Sequence, residues 1–493
     1  MIMNASLSTD LSENIQTLHR LLPIGKSFDL VTRYLYHGDT RAYWIGVNGF
    51  CKTELLQRIF SDLQDPGYTK DTQIKDLVCY MNAKIGFAQV EAEGNWEKLI
   101  RNLLSGPSLL FVDGFAQALI LDARTYPVRS ISEPDAERVT LGARDGFVET
   151  MLFNANLIRR RVRSNDLVFA MHTVGSTSRT DVAVAYLEGT VNRELLAALT
   201  QKLEELNRTS KVTSLTMGAK SLSELLVPHK WWNPLPSIQY TERPDVACSY
   251  LMEGHILMLV DNSPQVLLLP GTIFQFTQSP EDYYKSPLVG SYFRLVRLLC
   301  IPAALLLLPV FLLLAVYFPQ VSEKMHLLST GHPASWRIIL YVFAVEFVLD
   351  LFKYSAAQSS GHFSAPLSIV GGLLIGDTAV TLNWASTEAL FYGAVSLLAT
   401  LSISSLELAD ALRVYRIFLL ITTAAGGVWG FAAGLGLVCL SCLLTPTFGG
   451  MSYFWPLFPW NKEALATLLF RYPTVKAQPS KAWNRGHVHT NKK

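Results

Sequence analysis

Six carboxylates and one lysine lie between Ile338 and Asp410, in a stretch that is otherwise largely apolar: Glu346, Asp350, Asp377, Glu388, Glu407 and Asp410, with Lys353. An ionised side chain in hydrocarbon is costly unless paired or hydrated, so such groups face a bundle interior or a water-filled path. Glu346 and Asp350 are i,i+4 neighbours on one helical face, and Lys353 follows three residues on. Acid rings around a pore favour cations. Glu346, Asp350, Lys353, Asp377 and Glu388 are therefore the candidate ion path. The competing reading pairs Asp350 with Lys353 and leaves Glu388, Glu407 and Asp410 in loops at headgroup level.

Other chemical signals are weaker. The turn from Gly46 to Thr53 (GVNGFCKT) follows a strand, opens a helix and nearly spells a phosphate loop. Cys51 stands where glycine is needed, because the backbone must wrap phosphates with almost no side-chain volume. A plain strand-to-helix turn is the simpler reading, and an ATP-driven membrane enzyme is the rival that depends on this turn. Gly25-Lys26-Ser27 lacks the upstream glycine, and Cys439 and Cys442 have CxxC spacing without a second ligand pair. Scattered histidines and the absence of HExxH and GxSxG motifs leave no metal or catalytic site to name, and no cofactor is expected. The run Arg159-Arg160-Arg161 closes an expected helix that opens near Glu149; these four residues read as a helix with a dipole-matched cationic end or as an assembly contact.

The elements that must hold these residues divide the chain in two. Of 493 residues, 50% are hydrophobic and only 17% charged, with mean hydropathy +0.25. Net charge +2 excludes a polyelectrolyte role and a nucleic-acid partner. Six cysteines are too few for a disulfide scaffold. Apolar runs dominate from Leu295 to Leu444. The first, Leu295 to Phe318, is free of charge after Arg297, and Pro302 and Pro309 predict a kink or local unwinding within it. Trp336 to Phe352, the glycine-rich Pro366 to Leu382, Ala389 to Ile403 and Ile417 to Leu444 follow. Small residues in the last suit close helix packing. Basic residues at Arg294, Arg297, Lys353 and in the tail place the front half and the C-terminus in the cytoplasm. An even number of crossings is then needed, whereas the apolar runs number five, so one is re-entrant, with Pro366 to Leu382 the candidate, in a polytopic α-helical membrane domain of four or five spans.

The front half carries no secretory signal and alternates strand-like and helix-like stretches, as expected of α/β or α+β cytoplasmic modules. Arg41 to Val47, Ser108 to Val112, Ala116 to Asp122, Leu167 to His172 and Val182 to Tyr186 read as strands; Glu54 to Leu63, Gly146 to Arg163 and Asn192 to Leu206 read as helices. Asp113-Gly114 marks a hairpin turn. The expected domains are residues 1–140, 141–290, the membrane domain 291–450 and a basic tail 451–493. No internal repeat is visible.

The stretches Ser132 to Glu137, Gly142 to Glu149 and Asn156 to Arg161 resemble the EP-x-x-E, GxRxGFxE and NxLIRRR signature of the GerA-family A-type spore germination proteins. Thr241 to Asp245, Asp261 to Pro264, Glu281 to Tyr284 and Ser368 to Gly376 extend the resemblance over residues 40–460 or so. The chain departs from that pattern at Asp377, where glutamine is usual, and at Thr381 to Trp384. The resemblance implies a non-enzymatic homo-oligomer, a ring around an ion path, in the inner membrane of the bacterial spore. It also implies release of monovalent cations early in germination, beside other spore-membrane germination proteins. A nutrient-receptor A subunit and a non-conducting membrane scaffold are the alternatives.

Overall fold

The computed structural model describes residues 6–37, 40–64, 90–125, 142–208, 218–227, 231–324, 334–358, 380–382 and 386–471. Unit one opens with α1 (Leu11–Leu21), capped by the Asp10 carboxylate, which accepts from the Ser12 amide at 2.8 Å. There follow β1 (Leu30–His37), β2 (Thr40–Val47), α2 (Thr53–Gln64), β3 (Val90–Glu93), α3 (Trp96–Ser105), β4 (Ser108–Val112) and β5 (Ala118–Leu121). The sheet order is β1-β2-β4-β5-β3, antiparallel throughout. Both faces are covered, by α1 and α3 over Tyr43, Ile45, Leu109 and Phe111 and by α2 over Trp44, Leu110 and Leu119. Burial on both sides makes β4 and β5 continuous apolar runs instead of alternating ones.

Unit two repeats this plan. It contains α4 (Met151–Arg161), β6 (Leu167–Val174), β7 (Thr180–Leu187), α5 (Arg193–Arg208), α6 (Ala219–Leu226), β8 (Gln239–Thr241), α7 (Pro244–Met252), β9 (Ile256–Val260) and β10 (Val266–Leu269). The order β6-β7-β9-β10-β8 is that of unit one, with α4 and α7 on one face and α5 and α6 on the other. Hydrogen bonds recur at matching places. Asn14 accepts the Ser8 amide at 3.0 Å and donates to the Ser8 carbonyl at 2.7 Å; Asn154 does the same with Val148 at 2.8 and 2.6 Å. Asp113 accepts the Leu11 amide at 3.2 Å, as Asp261 accepts that of Met151 at 3.2 Å. The chain thus holds an internal structural repeat that its sequence conceals. Few side chains match because only the helix cap and hairpin turn require particular ones.

Helix α4 starts at Met151, later than the Gly146 expected, because the backbone before it is committed elsewhere: the Phe147 amide donates to the Glu242 carbonyl at 2.7 Å and Val148 to Asn154. The link expected from Tyr126 to Asp145 falls mostly outside the described residues.

The second half is helical: α8 (Glu281–Tyr284), α9 (Pro287–Tyr317), α10 (Pro319–Lys324), α11 (Ser335–Gln358), α12 (Thr387–Leu401), α13 (Leu406–Leu443) and α14 (Lys462–Leu469). By length and composition, α9 and the 38 residues of α13 taken as one helix are apolar enough to cross a membrane. Helix α9 runs unbroken through Pro302 and Pro309. Helix α13, which holds all but the last residue of the apolar run Ile417 to Leu444, is not one straight element. At Gly427 (φ 56, ψ −132) it doubles back, in a conformation open essentially to glycine alone. A Cβ on Gly430 would clash with the Thr422 carbonyl oxygen, whereas residues eight apart in a straight helix are about 12 Å apart. The element is a hairpin with an outgoing leg, 406–426, and a returning leg, 428–443. Its tip lies beside the end of α9, where the Tyr317 hydroxyl donates to the Ala424 carbonyl at 3.1 Å. Asp377 and nearly all of Pro366 to Leu382 lie outside the described residues.

Candidate functional site

Of the sequence candidates, Glu346, Asp350 and Lys353 come together, on α11. Opposite them, on the outgoing leg of α13, stand Arg416, Arg413 and Asp410. Glu346 Oε1 accepts from Arg416 Nη2 at 2.6 Å and from Nε at 3.0 Å. Asp350 pairs with Arg413, and Lys353 Nζ meets Asp410 at 2.5 Å. The Asp350–Lys353 pair of the competing reading is not formed, because each side chain reaches across to the antiparallel helix instead of along its own. The result is an ionic ladder of zero net charge. Its rungs are graded in burial, with side-chain exposures of 2% and 4% for Arg416 and Glu346 but 23% and 64% for Lys353 and Asp410.

Arg416 is the centre of the bundle. Its Nη1 donates to the Ala304 carbonyl of α9 at 2.9 Å and to the Ser396 and Thr400 hydroxyls of α12 at 2.8 and 3.2 Å. One guanidinium therefore ties four helices together, using the planar fork of donors that lysine lacks. Glu346 Oε2 is buried with no partner among the described residues. Glu388 stands apart from the ladder, in the first turn of α12, where a carboxylate complements the helix dipole. The sequence reading overlooked Arg413 and Arg416. The available signal was a charged residue at every third position of α13, Glu407, Asp410, Arg413 and Arg416.

The four residues read as an assembly motif are placed separately. Arg159 is buried between the two units, with Nε 2.7 Å from Asp29 Oδ2 and Nη2 donating to the Leu167 carbonyl at 2.9 Å. Its guanidinium lies 5.2 Å from the Phe169 ring centroid. Arg161 pairs with Asp145, with one hydrogen bond of 2.6 Å. Arg160 is exposed, and the Glu149 carbonyl accepts the Asn262 amide at 2.8 Å.

Where unit two meets the bundle, Asp282 of α8 takes both Arg294 and Arg297 of α9, and all three are buried. Arg297 also donates to Ser404 at 3.0 Å. Nearby, Asp245 accepts from Arg243 at 2.8 Å and from the Tyr284 hydroxyl at 2.5 Å. Burial alone would raise the Asp245 carboxyl, but these donors and the Arg243 charge hold it below the usual range. At the end of α7, burial pushes the Glu253 carboxyl up to about 7 against the pull of Arg294. The folded chain keeps a proton there that the unfolded chain releases near pH 4.3, so this site's contribution to stability falls from about pH 4.3 to 7 and is flat above. Glu253→Gln is expected to gain about 3 kcal/mol over the native chain at pH 8 and almost nothing at pH 4, measured as the difference in thermal unfolding at the two pH values.

The phosphate-loop turn is closed on itself. The Asn48, Phe50 and Lys52 amides donate to the carbonyls of Asp29, Val47 and Ala123 at 2.7, 3.2 and 3.2 Å, so three of the amides a phosphate would need are already engaged. Burial pushes the Cys51 thiol up to about 11. Ser27, of the second fragment, is bound to Asp29 at 2.5 Å and to the Phe169 amide at 2.9 Å. No group of three or more metal-ligating side chains exists among the described residues.

The pattern of the Bacillus/Clostridium GerA spore germination protein family matches residues 17–481. Stage V sporulation protein AF of Bacillus subtilis (strain 168) is 31% identical over 95% of this chain and 94% of its own. Spore germination protein KA of the same organism is 26% identical over 95% of this chain and 85% of its own. Among solved structures, the N-terminal domain of the A subunit of the Bacillus megaterium spore germinant receptor GerK3 matches with 25% identity. It covers 54% of this chain and 96% of that one, with a TM-score of 0.40.

Proposed function

Since the chain belongs to the GerA family of spore germination proteins, we propose that it is a homo-oligomeric, multi-pass protein of the spore inner membrane that passes monovalent cations during germination and catalyses no reaction. Its sheet units and C-terminus face the core side. The return of α13 toward unit two supports that placement, as does Arg471, which donates to the Tyr283 carbonyl at 2.6 Å.

The observation that carries the conduction reading is Glu346 Oε2, buried deep in an apolar bundle with no hydrogen-bond partner among the described residues. A carboxylate oxygen at that depth calls for water or a cation. Within one chain the ladder is neutral and closed, so the conducting path forms only when several copies assemble and a closed ring supplies its wall. The charge balance also favours a second reading, a membrane scaffold that does not conduct.

Reconstitution in liposomes separates the two. The native chain is expected to pass potassium or sodium, and Glu346→Gln to change the flux at least tenfold without changing oligomer size on gel filtration. No flux from the native chain, alone or with its membrane partners, leaves the scaffold reading standing.

A further inference from the structure

Between β8 and α6, residues 231–238 leave unit two and enter the helical bundle. Asn233 is only 4% exposed and Leu235 1%, and Leu235 packs in one apolar cluster with Leu408, Leu412, Tyr415 and Val438 of α13. Asn233 Oδ1 accepts from the Tyr415 hydroxyl at 3.1 Å and from the Leu235 amide at 3.1 Å; its Nδ2 donates to Thr445 Oγ1 at 2.9 Å. Tyr415 Oη lies 2.6 Å from Ser441 Oγ, and Thr445 Oγ1 donates to the Ser441 carbonyl at 2.8 Å. One side chain from the sheet domain thus joins the outgoing leg of α13, at Tyr415, to the chain just beyond the returning leg, at Thr445. Each of these polar groups has a partner, the condition under which a buried network fixes geometry instead of loosening it.

Tyr415 precedes Arg416, the residue on which four helices converge. Any shift of Asn233 therefore bears on the outgoing leg one residue from the Glu346 ion pair. Beside this loop, between unit two and α13, lies a cavity of about 340 Å³, bordered by Lys220, Pro234, Tyr240, Glu407 and Asp410. The direct surface tie across it, Lys220 to Glu407 at 3.0 Å, is 56% and 38% exposed. A pair so exposed is too weak to transmit much.

We propose that Asn233 is the positioning residue through which the sheet domain sets the state of the ion-pair ladder: it clamps the two legs of α13, and releasing it frees Arg416 from Glu346. The inference concerns coupling inside one chain and does not depend on conduction.

The test uses the full chain in detergent, with two readouts: thiol labelling of the native, buried Cys442 on the returning leg, and hydrogen exchange of α11 from Val342 to Lys353, which Asn233 does not touch. Asn233→Ala is expected to speed both at least tenfold while exchange in β9 stays unchanged. Tyr415→Phe, which removes only the hydroxyl, should reproduce the effect at smaller size, and adding Asn233→Ala to it should bring less than the sum of the two. Changes confined to Cys442 and residues 231–238, with α11 unmoved, would overturn the coupling. If Asn233→Ala loosens the whole chain, Tyr415→Phe decides alone: faster exchange in α11 supports the proposal, and unaltered exchange there refutes it.

Discussion

Arg416→Met is expected to destabilise the helical half by about 3–5 kcal/mol, the range for stripping one partner from a buried ion pair. Glu346 would lose both donors that now hold Oε1, and the Ala304 carbonyl and the Ser396 and Thr400 hydroxyls would each lose one. Adding Glu346→Leu should recover most of the loss, because a well-packed apolar pair of similar volume is often neutral or better than the ions it replaces. Thermal unfolding of the detergent-solubilised chain checks this. Equal losses in the single and double variants would mean that Arg416 acts through its packing and not through an uncompensated charge.

The second large effect belongs to the contact between the units. Arg159→Met leaves the buried Asp29 side chain with, among the described residues, only the Ser27 hydroxyl at 2.5 Å to satisfy it. A loss of about 3–5 kcal/mol is again expected. Arg159→Lys should fare nearly as badly, since one ammonium cannot reach Asp29, Leu167 and Ser164 together as the guanidinium does. Exposed Arg160→Ala should stay within about 0.5 kcal/mol. Limited proteolysis of the three variants provides the comparison: if Arg159→Met is cut between the units no faster than Arg160→Ala, the ion pair does not hold them together.

What the sequence disclosed follows from the range of each interaction. Ser108 to Val112 was legible as a strand, and Asp113-Gly114 as its turn, because a doubly covered strand is apolar throughout and a tight turn needs particular residues. The acids of α11 stood out because apolar neighbours isolate them. Their partners did not: Arg413 and Arg416 lie some sixty to seventy residues away, and nothing in local spacing says which helix will face which. Gly427 was hidden among other small residues, any of which could have served helix packing, so the hairpin read as one long helix. The repeat escaped notice because Asn14 and Asn154, or Asp113 and Asp261, are isolated identities in otherwise different surroundings.

The order of signs along the ladder restricts how the helices can move. Down α11 it runs minus, minus, plus; the facing positions of α13 run plus, plus, minus. Displacing one helix by a single turn, about 5.4 Å, sets Asp350 against Asp410 in one direction and Lys353 against Arg413 in the other. The first slip also strands buried Arg416, and the second strands buried Glu346, in apolar surroundings. Like a key cut for one depth, α11 cannot ratchet along its neighbour without bringing like charges face to face.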